Sequence, residues 1–380
     1  VNGRTMQTLI YLDNGATTPL DPVVAAGLAE RHLTLFGNPS STHPPGRAAG
    51  KALEAARDQL ARRLGGRADE VIFTSGGTES LGMAVLGSAG ETPRRVAISA
   101  VEHPAVVEAA RVLEGRGWGL DVVPVDAWGR VTRDALAGAI GPETGIVAVM
   151  LANNEVGTLN DLPGLARVVR TRAPRARLVV DAVQALGKLP FSVATLGADC
   201  VAVTAHKLHG PKGVGALWTR VALRPLLRGG GQERGLRGGT QSAPLAWALA
   251  EAADRMAMDA ARVTTLRDRL WAALQAELPG VRLTGAPLDG PRLGNNLHVC
   301  VPGLPSEPLL NALSAANLCA SAGSACSGGK FSDTLSAMGL SRDAGAWLRL
   351  TPGRLNTEDE MDEAARRIGR ATRALRAAHV

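Results

Sequence analysis

Short apolar runs separated by longer helix-forming stretches constrain the fold of this chain more than any other feature. Six runs have the length of strands, at residues 71–73, 96–98, 146–151, 178–180, 201–203 and 214–218. Stretches such as 47–64 and 104–114 lie between them and have helical composition. Strands buried on both faces are nearly continuous apolar runs. The pattern therefore predicts an α/β fold with a doubly wound, mainly parallel sheet, whose ligands collect at the carboxyl ends of the strands.

The second half of the chain has a different organisation. A stretch rich in Ala, Leu and Arg extends from 243 to 278, and a mixed region with Pro and Gly turns leads to a charged final helix at 357–378. We predict a large domain over 14–250 and a smaller α+β domain made of 1–13 and 251–380. The sequence contains no internal repeat and no low-complexity tract, so the two domains are expected to pack together.

Composition excludes several classes of protein. The formal charge is +7, but the basic residues are spread along the 380 residues and aromatic residues are only 3%, which argues against nucleic acid as a ligand. No segment approaches the roughly 18–20 consecutive apolar residues of a membrane span. Residues 1–7 lack the charged-then-apolar layout of a secretory signal. We expect a protein of the cytoplasm.

The four cysteines differ in their surroundings. They form no CxxC pair and no cluster with zinc-like spacing, so neither a disulfide nor a metal site is expected. Cys200 and Cys300 lie in apolar runs and are predicted to be buried, and Cys319 is predicted to lie on a strand. Cys326 lies among Gly and Ser residues in a loop, which is a setting for a reactive thiol.

One lysine follows an apolar strand directly. The chain has only five lysines, and Lys207 comes just after the run 201–203. Burial at a strand end can lower the pKa of an amine and make it nucleophilic toward an aldehyde. Taken alone, this segment indicates a solvated loop lysine more often than a reactive one.

Two further strand ends carry groups that could bind a ligand. Asp181 ends the run 178–180, where a carboxylate can hold a protonated ring nitrogen or cap a helix, and Gln184 follows it. The glycine turn at 75–80 includes Gly77 and Thr78. Its free amides and the following helix dipole can hold a phosphate, although many such turns hold none.

Taken together, the motifs of this chain resemble the cysteine desulfurases of the class V aminotransferase family. The resemblance covers essentially the whole chain. Its segments are YLDNGATT (11–18), NPSS (38–41), SGGTES (75–80), EH (102–103), NNEVG (153–157), DAVQ (181–184), AHK (205–207), GPKG (210–213), GGQE (230–233), GT (239–240) and SAGSAC (321–326).

The resemblance implies a pyridoxal 5'-phosphate enzyme of fold type I that converts L-cysteine to L-alanine. Sulfur would remain as a persulfide on Cys326, for acceptor proteins such as an iron–sulfur scaffold or a factor for tRNA thiolation. Lys207 would carry the cofactor and take the substrate α-proton, and His103 would stack on the ring and relay protons. The other implied residues are Asp181 for the ring nitrogen, Gln184 for the ring oxygen, Gly77, Thr78, Thr204 and His206 for the phosphate, Asn154 and Arg349 for the substrate carboxylate, and Thr240 for the phosphate of the second subunit of a homodimer.

The chain also departs from the family pattern. Leu81-Gly82 stands where two asparagines are expected, and residues 332–335 differ from the usual sequence after the cysteine. The alternatives are a selenocysteine lyase, another class V enzyme such as an aminotransferase or kynureninase, and a non-catalytic protein that only docks sulfur-pathway partners. Retention of Lys207, Asp181 and His103 argues against the last of these.

Overall fold

Helices alternate with strands along most of the chain. The computed structural model describes residues 8–92, 94–323 and 331–378. The strands are β1 (Ile10–Tyr11), β2 (Val71–Thr74), β3 (Arg95–Ser99), β4 (Gly119–Val123), β5 (Thr144–Ala148), β6 (Arg177–Asp181), β7 (Cys200–Thr204), β8 (Gly215–Thr219), β9 (Arg282–Leu283), β10 (Leu297–Val301), β11 (Leu318–Cys319) and β12 (Ala346–Leu350). The helices are α1 (Pro22–Thr34), α2 (Pro44–Leu64), α3 (Gly77–Ser88), α4 (Pro104–Glu114), α5 (Arg133–Ala139), α6 (Leu162–Arg172), α7 (Val193–Leu196), α8 (Ala243–Glu277), α9 (Ser306–Ala315), α10 (Asp333–Ala337) and α11 (Glu358–Ala378).

The central sheet has seven strands in the order β2-β8-β7-β6-β5-β3-β4. All its neighbours pair in parallel except at β8, which is antiparallel to both β2 and β7. The mainly parallel sheet is confirmed, but the expectation of a parallel strand at β8 is wrong. Only residues 205–214 join β7 to β8, too few for the helical crossover that a parallel connection needs. The sequence pattern also missed β4, a half-exposed strand at the edge of the sheet.

The first core of the molecule surrounds the central sheet, and alternating residues of its strands pack on opposite faces. In β7, Val201 and Val203 pack on one face, with residues of α2, α6 and α8. Cys200 and Ala202 pack on the other face, with residues of α3 and α4. Helices therefore cover both faces of the sheet, as a doubly wound fold requires. Burial raises the pKa of the Cys200 thiol to about 12, which agrees with the predicted inert core cysteine.

A second core forms around the antiparallel sheet β12-β10-β9 and the parallel pair β1-β11. Cys300 is buried on β10 and Cys319 lies on β11, as expected. Helix α8 contributes to both cores: Met256 and Val263 belong to the first, and Leu266 and Leu270 to the second. The division proposed at residue 250 falls inside α8 and stays a prediction. None of the helices in the described parts of the chain is long and apolar enough to cross a membrane.

A buried ion pair holds the loop between β8 and α8. Glu233 (φ +46°), Arg234 (φ +57°) and Gly235 (φ +80°) are consecutive left-handed residues, a costly conformation for the first two. The Glu233 carboxylate accepts hydrogen bonds from Arg57 Nη1 (2.7 Å) and Nη2 (2.9 Å), and from Phe73 N (2.9 Å). Both members of the pair are almost fully buried. These contacts offset the backbone cost and attach the loop to β2.

We predict that Arg57→Met lowers the free energy of unfolding by about 3–5 kcal/mol, because it leaves the Glu233 carboxylate buried without its cation. Chemical denaturation followed by circular dichroism measures this change. Arg111→Met removes an exposed partner of Glu108 and is the matched control, with no resolvable effect expected. Equal stability of the two variants would show that the buried pair does not hold the loop.

Candidate active site

A cavity of about 260 Å³ opens at the carboxyl ends of β2, β3, β5, β6 and β7. Ten residues singled out from the sequence line it together: Gly77, Thr78, His103, Asn154, Asp181, Gln184, Thr204, His206, Lys207 and Arg349. Parallel strands end at the same edge of a sheet, and this is why segments far apart in the chain meet here. Arg349 comes from β12, so the second sheet supplies part of the wall.

Lys207 ends a short 3-10 turn, Ala205–Lys207, directly after β7. Its Nζ donates to Gly15 O at 2.7 Å and to Ala16 O at 2.6 Å. The amine is therefore held at the cavity wall by backbone carbonyls of the N-terminal segment. The neighbouring His206 lies 3.2 Å from Thr17 Oγ1 through its Nδ1 atom, and burial lowers its pKa to about 4. His206 is accordingly neutral at physiological pH.

The buried carboxyl group of Glu102 lies near that of Asp181, which lines the cavity. Burial raises the pKa of Asp181 to about 6, although Val183 N donates to its Oδ1 at 2.8 Å. Burial, with a contribution from the charge of Asp181, raises the pKa of Glu102 to about 8. Glu102 Oε2 has no hydrogen-bond partner among the described residues. At neutral pH the site therefore holds one ionised carboxylate, Asp181, beside a protonated Glu102.

Helix α3 points its amino terminus at the cavity. It begins at Gly77, and the residues described supply no side-chain cap for it. A Cβ atom at Gly77 would lie 2.9 Å from Val183 Cγ2, so the backbone can approach this closely only as glycine. The Thr78 side chain is exposed beside it. Free amides and the helix dipole make this end of the cavity favourable for an anion such as phosphate.

His103 has two structural roles. It caps α4, with its Nδ1 accepting from Ala105 N at 3.1 Å, and its ring lines the cavity. Burial and the charge of Lys207 lower its pKa. The cap assigns the proton of the neutral ring to Nε2. His103 therefore starts a helix and also presents its ring to the cavity.

Arg349 is 2% exposed and connects three parts of the chain. Its Nη1 donates to Asn154 O at 3.0 Å and its Nη2 to Asp13 Oδ1 at 2.9 Å. Its Nε is buried and unpaired within the described part of the chain. The guanidinium thus keeps a donor for a further acceptor.

Among the predicted site residues that the structure describes, Thr240 does not line the cavity. Thr240 is exposed on the loop that Glu233 holds, and Arg237 of the same loop pairs with Glu79 of α3 at 2.8 Å. Cys326 lies outside the described residues, and so do Gly328 and Gly329. Gly323, which precedes that segment, lies beside the Glu155 carboxylate.

Sequence reasoning missed six lining residues: Gly15, Ala16, Leu81, Met150, Ala152 and Val183. Gly15 and Ala16 belong to the YLDNGATT motif, so that motif contained a usable signal. Leu81 was noted only as a departure from the family pattern, yet it contacts the cavity. Met150 belongs to the apolar run 146–151, which predicts a strand and gives no indication of where it ends, and Ala152 directly follows that run.

Asp181→Asn is expected to stabilise the cofactor-free protein by up to about 3 kcal/mol above pH 6. The substitution removes a carboxylate whose pKa is raised by about two pH units on folding, and a shift of that size corresponds to about 3 kcal/mol. The folded protein retains the Asp181 proton up to about pH 6, whereas the unfolded chain releases it near pH 3.8. The gain should therefore be absent near pH 4, grow between pH 4 and 6 and then level off. Unfolding titrations across that range measure it.

Asp289→Asn, at an exposed turn, is the control for that series and should leave the stability unchanged at every pH. A stability gain for Asp181→Asn that did not vary with pH would contradict the assigned cause.

Comparison with known proteins identifies the family. The model of the family described as Aminotransferase class-V matches residues 10–363. Cysteine desulfurase 2 of Trichormus variabilis is 38% identical over 366 residues, covering 94% of this chain and 91% of that protein. The cysteine desulfurase of Sinorhizobium fredii is 39% identical over 380 residues, 97% of each chain. A solved structure described as a NifS-like protein has a TM-score of 0.89 at 34% identity, covering 96% of this chain and 100% of that one.

These relatives confirm the fold expected from the sequence. The α/β architecture with its mainly parallel sheet is that of fold type I, the fold of the NifS-like enzymes. The chain therefore belongs to the class V aminotransferase family and, within it, to the NifS/IscS-like cysteine desulfurases, which are pyridoxal-phosphate-dependent enzymes.

Proposed function

We propose that this enzyme removes sulfur from L-cysteine, releases L-alanine, and passes the sulfur from Cys326 to an acceptor protein. The observation that carries the proposal is the convergence of Lys207, Asp181 and the start of α3 in one cavity, with Arg349 in its wall. An amine, a buried carboxylate, an anion site and a guanidinium are the groups that an amino-acid enzyme with a phosphorylated pyridine cofactor requires.

The residues present fit pyridoxal phosphate. Lys207 Nζ would bond to the aldehyde carbon of the cofactor. Asp181 would bind the ring nitrogen, and the protonated nitrogen would give the buried carboxylate a positive partner. The α3 amides at Gly77 and Thr78 would bind the phosphate with Thr204 and His206. Thr204 Oγ1 now donates to Val214 O at 3.1 Å, so its hydroxyl would rotate to donate to a phosphate oxygen. When bound, the cofactor supplies an electron sink for the substrate α-carbon.

The cavity also contains groups to orient the substrate and move its protons. Arg349 would bind the substrate carboxylate, since its Nε has no partner among the described residues and its fork suits two oxygens. Asn154 lines the same side of the cavity. Lys207 would remove the α-proton, because its amine already lies at the cavity wall. His103, neutral and with its proton on Nε2, would stack on the ring and relay a proton to the product.

Sulfur transfer would then use the Cys326 thiolate. The substrate carbon–sulfur bond breaks, a bond forms between Cys326 Sγ and the released sulfur, and the carbon product takes up a proton as L-alanine. Of the two thiol protons at the start, one ends on alanine and one on the persulfide, so no external oxidant is needed. The cysteine desulfurase names of the relatives favour cysteine over selenocysteine as substrate.

The acceptor is proposed to be a protein of sulfur metabolism, such as an iron–sulfur scaffold or a factor for tRNA thiolation. Two relatives carry the name Cysteine desulfurase IscS, which supports a carrier of this kind. We place the enzyme in the cytoplasm. Neither direct nucleic-acid binding nor membrane binding is part of the proposal.

A homodimer is proposed from the position of Thr240. This residue is exposed and outside its own cavity, on a loop held rigid by the Arg57–Glu233 pair. The same loop is attached through Arg237 to α3, next to the phosphate end of the cavity. Exposed apolar side chains on and after α1, including Leu33 and Phe36, supply surface for a partner subunit.

Cys326→Ala should keep the absorbance of the bound cofactor but form no sulfide or alanine from L-cysteine, because it removes only the sulfur-accepting thiol. Cys319→Ala is the matched control and should retain turnover. Lys207→Ala should lose both the cofactor absorbance and turnover. Sulfide and alanine release, with a dithiol present, measures all three variants, and full turnover by Cys326→Ala would remove that thiol from the reaction.

Mixed dimers test whether Thr240 acts on the partner subunit. A Lys207→Ala subunit paired with a Thr240→Val subunit has one intact Lys207 site, which receives a native threonine only if the residue crosses the interface. We expect that site to bind the cofactor as tightly as the wild type, at least about tenfold more tightly than Thr240→Val homodimers. Affinity equal to that of the Thr240→Val homodimer would place the residue in its own site or outside any site.

A further inference from the structure

A second lysine lies directly behind the cavity and has no role in the proposed reaction. Lys188 is 7% exposed and lies one helical turn after Gln184, at the end of a turn that follows β6. Its Nζ donates to Gln184 Oε1 at 2.9 Å. Lysine is almost never fully buried without a charged partner, so its place here requires an explanation.

The charges around Lys188 are unfavourable for its ammonium form. Burial, together with the positive charges of Lys207 and Arg349, lowers its pKa to about 7. Lys188 also lies near His206 and His209 and lowers the pKa of both. No carboxylate of the described residues contributes to the Lys188 pKa. A purely structural role would be served better by an apolar side chain of the same length.

The contact with Gln184 gives the amine a specific task. Lys188 Nζ donates to the amide oxygen, and in its ammonium form the amine has no lone pair with which to accept, so this form holds the oxygen end of the amide toward it. At its other end, Gln184 Nε2 donates to Gly15 O at 2.9 Å, and a carbonyl only accepts. Both neighbours therefore select the same orientation of the amide. The Nε2 atom keeps a second N–H, and Gln184 lines the cavity.

The same backbone carbonyl connects this amide to the reactive lysine. Gly15 O accepts from Gln184 Nε2 and from Lys207 Nζ. With its amine bonded to the cofactor, Lys207 would no longer donate to Gly15 O. The Gln184 amide would then be the remaining donor of the two. Lys188 is then the second of two contacts that stop the amide from rotating.

We propose that Lys188 is a positioning residue, which holds the oxygen of Gln184 so that the amide donates an N–H to the phenolic oxygen of the bound cofactor. This inference rests on the proposed function, in which Gln184 contacts that oxygen. Without Lys188 the amide can turn and present its own oxygen, which repels a phenolate. A donor favours the deprotonated phenolate and an acceptor disfavours it.

A double-mutant cycle on the holoenzyme tests the proposal. Lys188→Met, Gln184→Leu and the double variant are compared through the pH midpoint of the absorbance change of the bound cofactor, with Lys51→Met on the surface of α2 as the charge-matched control. We expect the midpoint to rise by about half to one pH unit in Lys188→Met and at least as much in Gln184→Leu. The double variant should match Gln184→Leu, since Lys188 acts through that amide. Lys51→Met should leave the midpoint unchanged.

The outcomes distinguish the role of Gln184 from the role of Lys188. An unmoved midpoint in Gln184→Leu overturns the proposed contact of Gln184 with the cofactor, and the role of Lys188 with it. A shift in Gln184→Leu but not in Lys188→Met overturns the role of Lys188 alone. Additive shifts in the double variant also overturn it, because the amine would then act through its charge.

Thermal unfolding of the same variants distinguishes positioning from a structural role. Lys188→Met should unfold at the wild-type temperature or above, since it removes a buried amine that lacks a charged partner. A lower unfolding temperature with an unmoved midpoint would overturn the proposal. Lys188→Leu provides a second neutral replacement if the methionine variant does not fold.

Discussion

Parallel pairing of the central strands is the constraint on which the rest of the structure depends. β3, β5, β6 and β7 pair in one direction, so their carboxyl ends open at a single edge. The side chains there cannot continue into the core and instead surround a cavity. Short loops at this edge place the lysine, the carboxylate and the glycine turn within one site, although the glycine turn precedes the other two by about a hundred residues or more in the chain. The reversed strand β8 completes the sheet without disturbing this edge.

The N-terminal segment joins the two parts of the molecule at the same cavity. Ile10 and Leu12 pack in the second core, and the next residues cross to the first. Gly15 O holds Lys207 and Gln184, and Asp13 pairs with Arg349. Loss of any of these contacts would therefore affect the packing of both sheets. The motif that follows β1 is thus a structural connection as much as a part of the binding site.

Charge burial at this edge indicates that the site is adapted to a ligand. Asp181 in the cavity wall and Lys188 behind Gln184 carry charge only at a cost, because burial shifts the pKa of each in the direction that favours its neutral form. Glu102 avoids the same cost by remaining protonated. A phosphorylated, protonated ring brings both signs of charge to the cavity. Such a site is less stable alone than an apolar one and gains its stability on binding, a common arrangement at catalytic centres.

The sequence by itself determined the fold class, the family and most of the candidate site. Apolar runs set the strands because a doubly covered sheet admits few other residues, and glycine at the start of α3 is required by the approach of Val183. Only the tertiary structure decided that β8 runs antiparallel, that Leu81 contacts the cavity, and that His103 caps a helix while lining the site. Only the tertiary structure shows that Asp13 pairs with Arg349 and that Lys188 donates to Gln184. These features depend on contacts between side chains of distant segments, and no local sequence pattern predicts such contacts.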